Sequence, residues 1–251
     1  MRHDKKMNII NSLRLISICS FILFTVSGSM VFAEVTKIDS NFDGKMDQWR
    51  HNTADGKTFK IEYDTNFDGN IDQVEHFVGD KTLVKAEFDA DKNGKMDQIQ
   101  DYSDQGKLEK IEKDSKNTGK FDWYEKFDAN GKIKRTKIDE NGDGKVDIWQ
   151  YFDGNQKIKQ TDYDTDFNGT ADRWDYFVSE KLEKVGFDTN ADQKPDQWQF
   201  FKGSNVLIKV ENDTNFDGKI DRWEFFDPSG KLTRIEADRN FDGNPDMVKD
   251  Q

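Results

Sequence analysis

The chain has 251 residues, 33% apolar and 35% charged, with a formal net charge of −12. That charge argues against nucleic acid or anionic lipid as partners, and a single cysteine, Cys19, excludes an internal disulfide framework. Such a composition leans towards disorder, but 20 Phe, 6 Trp and 6 Tyr recurring in a fixed register argue for a packed fold.

Residues 1–33 read as a secretory signal peptide. Arg2, Lys5, Lys6 and Arg14 precede an apolar run from Leu15 to Phe32, and Val31 and Ala33 set small residues three and one before Glu34. Cleavage is expected after Ala33; an uncleaved anchor is the competing reading, since the run is just long enough to span a bilayer. Cys19 follows Ile18, where a lipid-attachment signal has a small residue. Cleavage leaves residues 34–251 as a single repeat domain with no cysteine, no membrane span and a net charge near −15. The expected location is secreted or periplasmic. An exported domain without disulfides needs another staple, and a metal ion meets that need.

From Asp39 onward one nine-residue stretch organises the chain, seen most cleanly as D-T-N-F-D-G-K-I-D at Asp213 to Asp221. It recurs nine times, here numbered loops 1 to 9, starting at Asp39, Asp64, Asp89, Asp114, Asp139, Asp164, Asp188, Asp213 and Asp238. The period is 25 residues, with one interval of 24 between Asp164 and Asp188; such a period marks a repeat architecture. Oxygen-bearing side chains fall at positions 1, 3, 5 and 9, with Gly at position 6 for a sharp turn.

Eight loops keep an all-oxygen set of three carboxylates and one amide. In loops 1 to 3 these are Asp39, Asn41, Asp43, Asp47; Asp64, Asn66, Asp68, Asp72; and Asp89, Asp91, Asn93, Asp97. In loops 5 and 6 they are Asp139, Asn141, Asp143, Asp147 and Asp164, Asp166, Asn168, Asp172. In loops 7 to 9 they are Asp188, Asn190, Asp192, Asp196; Asp213, Asn215, Asp217, Asp221; and Asp238, Asn240, Asp242, Asp246. Three carboxylates in nine residues repel unless a cation sits among them, and a hard cation such as Ca²⁺ takes six to eight oxygens. Up to eight Ca²⁺ are expected. Loop 7 has Gln193 in place of Gly, which should strain it. Loop 4 has Asp114, Lys116, Thr118 and Asp122, so the Lys116 ammonium is expected to replace the metal there. Against this stands a plainer reading, that Asp, Asn and Gly are simply good turn formers.

Each loop leads into a strand, a turn and a second strand, with hairpin signals at Asp55-Gly56, Asn130-Gly131, Asp153-Gly154 and Ser229-Gly230. Strand alternation assigns Trp49, Val74, Ile99, Tyr124, Trp149, Trp174, Trp198 and Trp223 to one face. Ile61, Tyr63, Ala86, Phe88, Val185, Phe187 and Ile235 are expected on that same face, with charges opposite. An aromatic from Phe77 to Phe226 closes seven hairpins. The expected fold is all-β: tandem 25-residue β-hairpin repeats in an antiparallel sheet, loops at one edge. One apolar face with no helix to cover it predicts a curled or closed sheet, or a propeller-like ring. Pairing Glu34–Ile38 with Met247–Gln251 would close it and remove both edges.

The loop pattern D-x-[DN]-x-[DN]-G-x-x-D resembles the first nine positions of an EF-hand loop. The EF-hand's Glu at position 12 is not kept, because Arg50, Gln100, Gln150 and Gln199 stand there in four units. The pattern is closer to the calcium loops between strands of integrin-type FG-GAP repeats and to thrombospondin type 3 repeats. The resemblance covers the loops only, about a third of residues 34–251. It implies that the position-9 Asp supplies the last carboxylate and that position 7 gives a backbone carbonyl. Those residues are Lys45, Asn70, Lys95, Lys145, Thr170, Lys194, Lys219 and Asn244.

No nucleophile motif or phosphate loop appears, and the carboxylates are accounted for by the loops, so no catalysis is expected. His51 and His76 fall at equivalent positions of adjacent hairpins, where they would stack side by side, as a structural pair or as a transition-metal pair. Two function classes remain. The first is a secreted calcium-binding scaffold that presents a repetitive surface to a protein partner. The second is a calcium-dependent carbohydrate-binding module using Phe200, Phe201, Phe225 and Phe226 as stacking platforms.

Overall fold

The computed structural model describes residues 34–79, 81–203 and 205–251; the expected signal peptide lies outside the described residues. Eighteen strands form one sheet. They are β1 (Glu34–Ile38), β2 (Gln48–Asn52), β3 (Thr58–Tyr63), β4 (Gln73–Val78), β5 (Thr82–Phe88), β6 (Gln98–Tyr102), β7 (Leu108–Lys113), β8 (Trp123–Phe127) and β9 (Ile133–Ile138). The second half comprises β10 (Ile148–Phe152), β11 (Ile158–Tyr163), β12 (Arg173–Val178), β13 (Lys181–Phe187), β14 (Gln197–Lys202), β15 (Val206–Asn212), β16 (Arg222–Phe226), β17 (Leu232–Ala237) and β18 (Met247–Asp250). No helix occurs among the described residues. Every strand pairs antiparallel with its neighbours in sequence, from β1–β2 through β9–β10 to β17–β18.

The tandem-hairpin architecture expected from the 25-residue period is therefore present, but curling and closure are not. Strands touch only their sequence neighbours, and β1 and β18 pair on one side each. The ends do not meet, so neither a closed array nor a ring forms.

The reason lies in the register. Trp49 stands opposite Glu62, not on the face of Ile61, and Trp223 stands opposite Glu211 and Glu236. Ile61 and Ala86 instead flank Glu75. Each face therefore interleaves apolar residues with charged or polar ones from strand to strand, and neither is the continuous apolar surface that would need covering. Charged side chains bridge within each face, as in Lys60–Glu62 at 2.6 Å and Arg173–Asp175 at 2.8 Å. Lys184 lies 4.7 Å from the Tyr176 ring and 4.2 Å from that of Trp198. Their stems cover the rings that a second layer would otherwise cover.

What core exists is a single row through the second strand of seven of the eight hairpins: Ile61, Ala86, Ile111, Thr136, Thr161, Val185 and Val210, all buried. Burying each aliphatic side chain contributes about 1.5–3 kcal/mol. A β-bulge precedes the residue that closes each hairpin, an aromatic in seven of the eight, for instance between His76 and Phe77, after which Phe77 faces Leu83. At the other end of the strands the nine loops lie side by side along one edge. The position-1 amide of each loop donates to the position-9 carbonyl of the loop before it, from Asp64 to Asp47 at 2.9 Å to Asp238 to Asp221 at 2.8 Å.

Candidate metal centre

Each loop is built around its first carboxylate. In all nine, the position-6 amide donates to the position-1 Oδ2, as with Gly69 to Asp64 at 2.8 Å and Gly218 to Asp213 at 2.7 Å. In eight, the position-5 amide donates to the Oδ1, as with Asp68 to Asp64 at 3.1 Å. Loop 5 uses the Gly142 amide instead, at 2.6 Å. Position 4 is left-handed throughout, even where it is Phe, as in Phe67 at φ 64° and Phe216 at φ 59°. A bulky residue there costs on the order of 1–2 kcal/mol, so the loop geometry is held against a local preference. Gln193, as expected, is forced into the same region, at φ 69°.

The position-9 carboxylate closes the loop from the other side. Its Oδ2 accepts the position-2 amide, as from Thr65 to Asp72 at 3.0 Å and from Glu140 to Asp147 at 2.6 Å. A hydroxyl at position 2 caps the same carboxylate in five loops: Thr65, Ser115, Thr165, Thr189 and Thr214. This cap was legible as a recurrent Asp-Thr or Asp-Ser step, which the ligand pattern passes over.

Beyond this common frame six of the nine loops depart in three ways. In loops 3 and 6, which carry Asp at position 3, oxygens of Asp89, Asp91 and Asp97 lie within 4.8 Å of one another, as do those of Asp164, Asp166 and Asp172. These two acidic triads can hold a metal ion. None of the ion pairs among the described residues reaches them. Burial, partly offset by the Gly169 and Asn168 amides and reinforced by the Asp166 carboxylate, pushes Asp164 above the ordinary carboxylate range.

In loop 5 the position-9 Asp147 is buried at 2% exposure, and its Oδ1 has no hydrogen-bond partner. Position 2 is Glu140 here, so the capping hydroxyl of other loops is missing. An unpartnered buried carboxylate oxygen costs several kcal/mol unless a cation faces it.

In loops 2, 4 and 9 a side-chain cation approaches position 9. Lys92, from loop 3, reaches back to Asp72 at 3.0 Å and to the Thr65 hydroxyl at 3.1 Å. Burial would raise Asp72, but the Thr65 and Lys92 hydrogen bonds outweigh it and hold the carboxyl below its usual value. Arg239 binds Asp246 at 2.9 Å and lowers it likewise. Lys116, expected to take the metal's place in loop 4, is shared between that loop and the next. Its Nζ donates to the Asp139 and Glu140 carbonyls of loop 5, at 3.1 and 2.5 Å, and stands 3.9 Å from Asp122.

The position-5 acids point elsewhere. Asp43, Asp68 and Asp217 accept the position-7 amide and the side-chain amide of the position-3 Asn. The three predicted carboxylates of loops 1, 2, 5 and 7 to 9 are not gathered as the triads are. The histidines are not adjacent, because Lys60 stands between them in the register. Each meets a glutamate instead, His51 with Glu62 at 2.6 Å and His76 with Glu87 at 2.8 Å. Phe200 lies beneath the Lys209 ammonium at 4.4 Å.

No family model matches the chain, and neither does any curated protein. Among solved structures it is similar to a Staphylococcus aureus TarM variant in complex with fondaparinux, alpha-GlcNAc-glycerol and UDP. The identity is 13% and the TM-score 0.27, over 49% of this chain and 21% of that one. It is also similar to a TcdB2-TccC3-TEV structure, at 9% identity and TM-score 0.26 over 87% and 15% of the two chains. A third is a porin-like protein from Bacteroides uniformis, at 10% identity and TM-score 0.24 over 86% and 91%. At these scores the likenesses carry no argument about fold or function.

Proposed function

We propose that the chain is an exported calcium-binding repeat protein, without catalytic activity, that serves as a structural or protein-binding scaffold in the cell envelope or outside the cell. The observation that carries this reading is the Asp147 Oδ1, a buried and unpartnered carboxylate oxygen in a loop of the calcium pattern. The triads of loops 3 and 6 support it independently. The donors offered are carboxylates, amides and backbone carbonyls, a hard-cation set with no sulfur or imidazole. Loops 3, 5 and 6 would bind first. Loops 1, 7 and 8 would follow, and loops 2 and 9 only if Lys92 and Arg239 withdraw.

Thermal unfolding of residues 34–251, followed by circular dichroism in excess EGTA and in about 5 mM Ca²⁺, tests the proposal. At a dissociation constant of about 0.1–1 mM, three sites supply roughly 3–7 kcal/mol in all. For a domain of this size that raises the midpoint by at least about 6 °C. Coincident melts would sink the calcium reading and leave the loops as plain turns.

A further inference from the structure

We infer that the face of β7, β8 and β9 carries a binding site for a short acidic oligosaccharide, bearing carboxylate or sulfate groups and held by Lys126, Arg135 and Lys137. The repeat itself points to this place. In the second strand of a hairpin, the cation at position 22 of the unit pairs with an acid two residues on. Examples are Lys60–Glu62 at 2.6 Å, Lys85–Glu87 at 3.1 Å, Lys110–Glu112 at 2.7 Å and Lys209–Glu211 at 2.7 Å, and Arg234–Glu236 repeats the pairing. The position of the acid is held by Glu or Asp in six units and by Gly186 in one. Only the unit starting at Asp114 has a cation there, Lys137, which leaves Arg135 without its acid.

The same unit places Lys126 where the adjacent units have Asp101 and Tyr151 and the others a ring, such as His76 or Tyr176. The register then sets Lys126 directly opposite both Lys110 and Arg135. Like charges opposite each other destabilise a sheet, so this arrangement has no structural return of its own. Burial and the Arg135 charge push Lys137 below the usual lysine range. Among the described residues, none of Lys126, Arg135 and Lys137 is in an ion pair, whereas Lys110 is met by Glu112 at 2.7 Å and Asp101 at 4.0 Å.

These side chains line an open trough of about 490 Å³ with Tyr124, Lys110 and four acids, Asp101, Glu109, Glu112 and Glu125. Lys110 meets Asp101 and Glu112, and Lys113 stands 3.9 Å from Glu125, so three of the four acids have a cation of their own. In the register Tyr124 is followed by Lys137 and then Trp149. Cations alternating with flat rings suit a sugar that carries negative charge: the ring stacks on the aromatic while its acid groups meet the cations. The volume takes two or three sugar units at most, by the usual scale of small-ligand sites. A long polyanion is disfavoured by the chain's net charge of −12. An extended peptide is disfavoured because β7, β8 and β9 are each paired on both sides, leaving no edge to add a strand to. The site lies on the strand face and does not depend on calcium in the loops.

The test is calorimetric titration of residues 34–251 with trigalacturonate, with maltotriose and sodium sulfate as comparisons, in calcium and in EGTA. Lys137→Glu restores the acid of the other units, and Lys126→Tyr restores their ring, so both are expected to keep the fold and its melt. Trigalacturonate is expected to bind the native chain in both buffers and at least about tenfold more weakly to either variant. No binding of trigalacturonate, or equal affinity in Lys137→Glu, would overturn the site. Equal binding of maltotriose would remove the role of charge, and equal binding of sulfate would remove the sugar.

Discussion

Asp166→Asn separates a calcium site from a plain turn, because the two readings give opposite signs. Asp166 is the exposed member of the loop 6 triad, within 4.8 Å of Asp164 and Asp172. Without metal its charge helps to push the buried Asp164 carboxyl upward. A carboxyl raised in the folded state is destabilising at neutral pH, where it is ionised in both states. Removing the neighbour therefore leaves the melt in EGTA unchanged or slightly higher. With calcium the same change removes one of three carboxylates. If the site weakens tenfold, from about 0.1 to about 1 mM, then at about 5 mM Ca²⁺ the loss is close to 1.3 kcal/mol. That lowers the midpoint by roughly 3–5 °C. Differential scanning calorimetry in both buffers reads both signs at once, and Asp91→Asn in loop 3 repeats the experiment. A fall of equal size in EGTA and in calcium would refute the reasoning, since Asp166 would then be only a turn residue.

Lys92→Gln takes the ammonium off Asp72 and is expected to strengthen calcium binding at loop 2 while lowering the melt in EGTA; calorimetric stoichiometry should rise by one. Gly186→Ala places a Cβ 2.9 Å from Trp198 Cζ3 and 3.1 Å from Pro195 Cβ. Overpacking of this kind costs about 1–3 kcal/mol, so the midpoint should fall by roughly 2–12 °C in either buffer. The lowered Asp72 carboxyl contributes stability that is full above its unfolded value near pH 4 and lost as pH falls through the lower folded value. Urea unfolding in EGTA should accordingly find Asp72→Asn less stable than the native chain at about pH 6 and converging with it as pH falls below the unfolded value near about 4.

The strands, the hairpins and the edge occupied by the loops were legible because each follows from the period and from Gly-marked turns. The faces were not. Counting alternation across a hairpin puts Trp49 with Ile61, but the bulge beside His51 shifts the pairing by one, so Trp49 meets Glu62. A shift of one residue exchanges the faces of a whole strand. From that single shift the expected apolar face, and with it the curled or closed sheet, disappears. In the loops, the ligand residue types were legible but their convergence was not. Asp91 and Asp166, at position 3, join their triads, while Asp43, at position 5, turns to its own backbone. Lys92 acts on a loop 25 residues earlier in the period, a contact that only the side-by-side stacking of loops creates.

That stacking decides how loss of calcium should spread. Each unit touches only its neighbours, so stability is close to a sum of local terms and interfaces. Loops 3, 5 and 6, with the uncompensated oxygens, all lie in the interior of the array, whereas loop 9 near the end carries its own cation in Arg239. Position-1 amides bond to the preceding position-9 carbonyls, so a loop that opens takes a rung from the next. Hydrogen exchange in EGTA against calcium should therefore rise most at β5, β6 and β9 to β12, which flank those loops, and least at β17 and β18. A uniform rise would mean that the sheet unfolds as one body. A rise confined to β1 and β18 would mean that the ends fray without regard to metal, and the interior loops would then owe nothing to a cation.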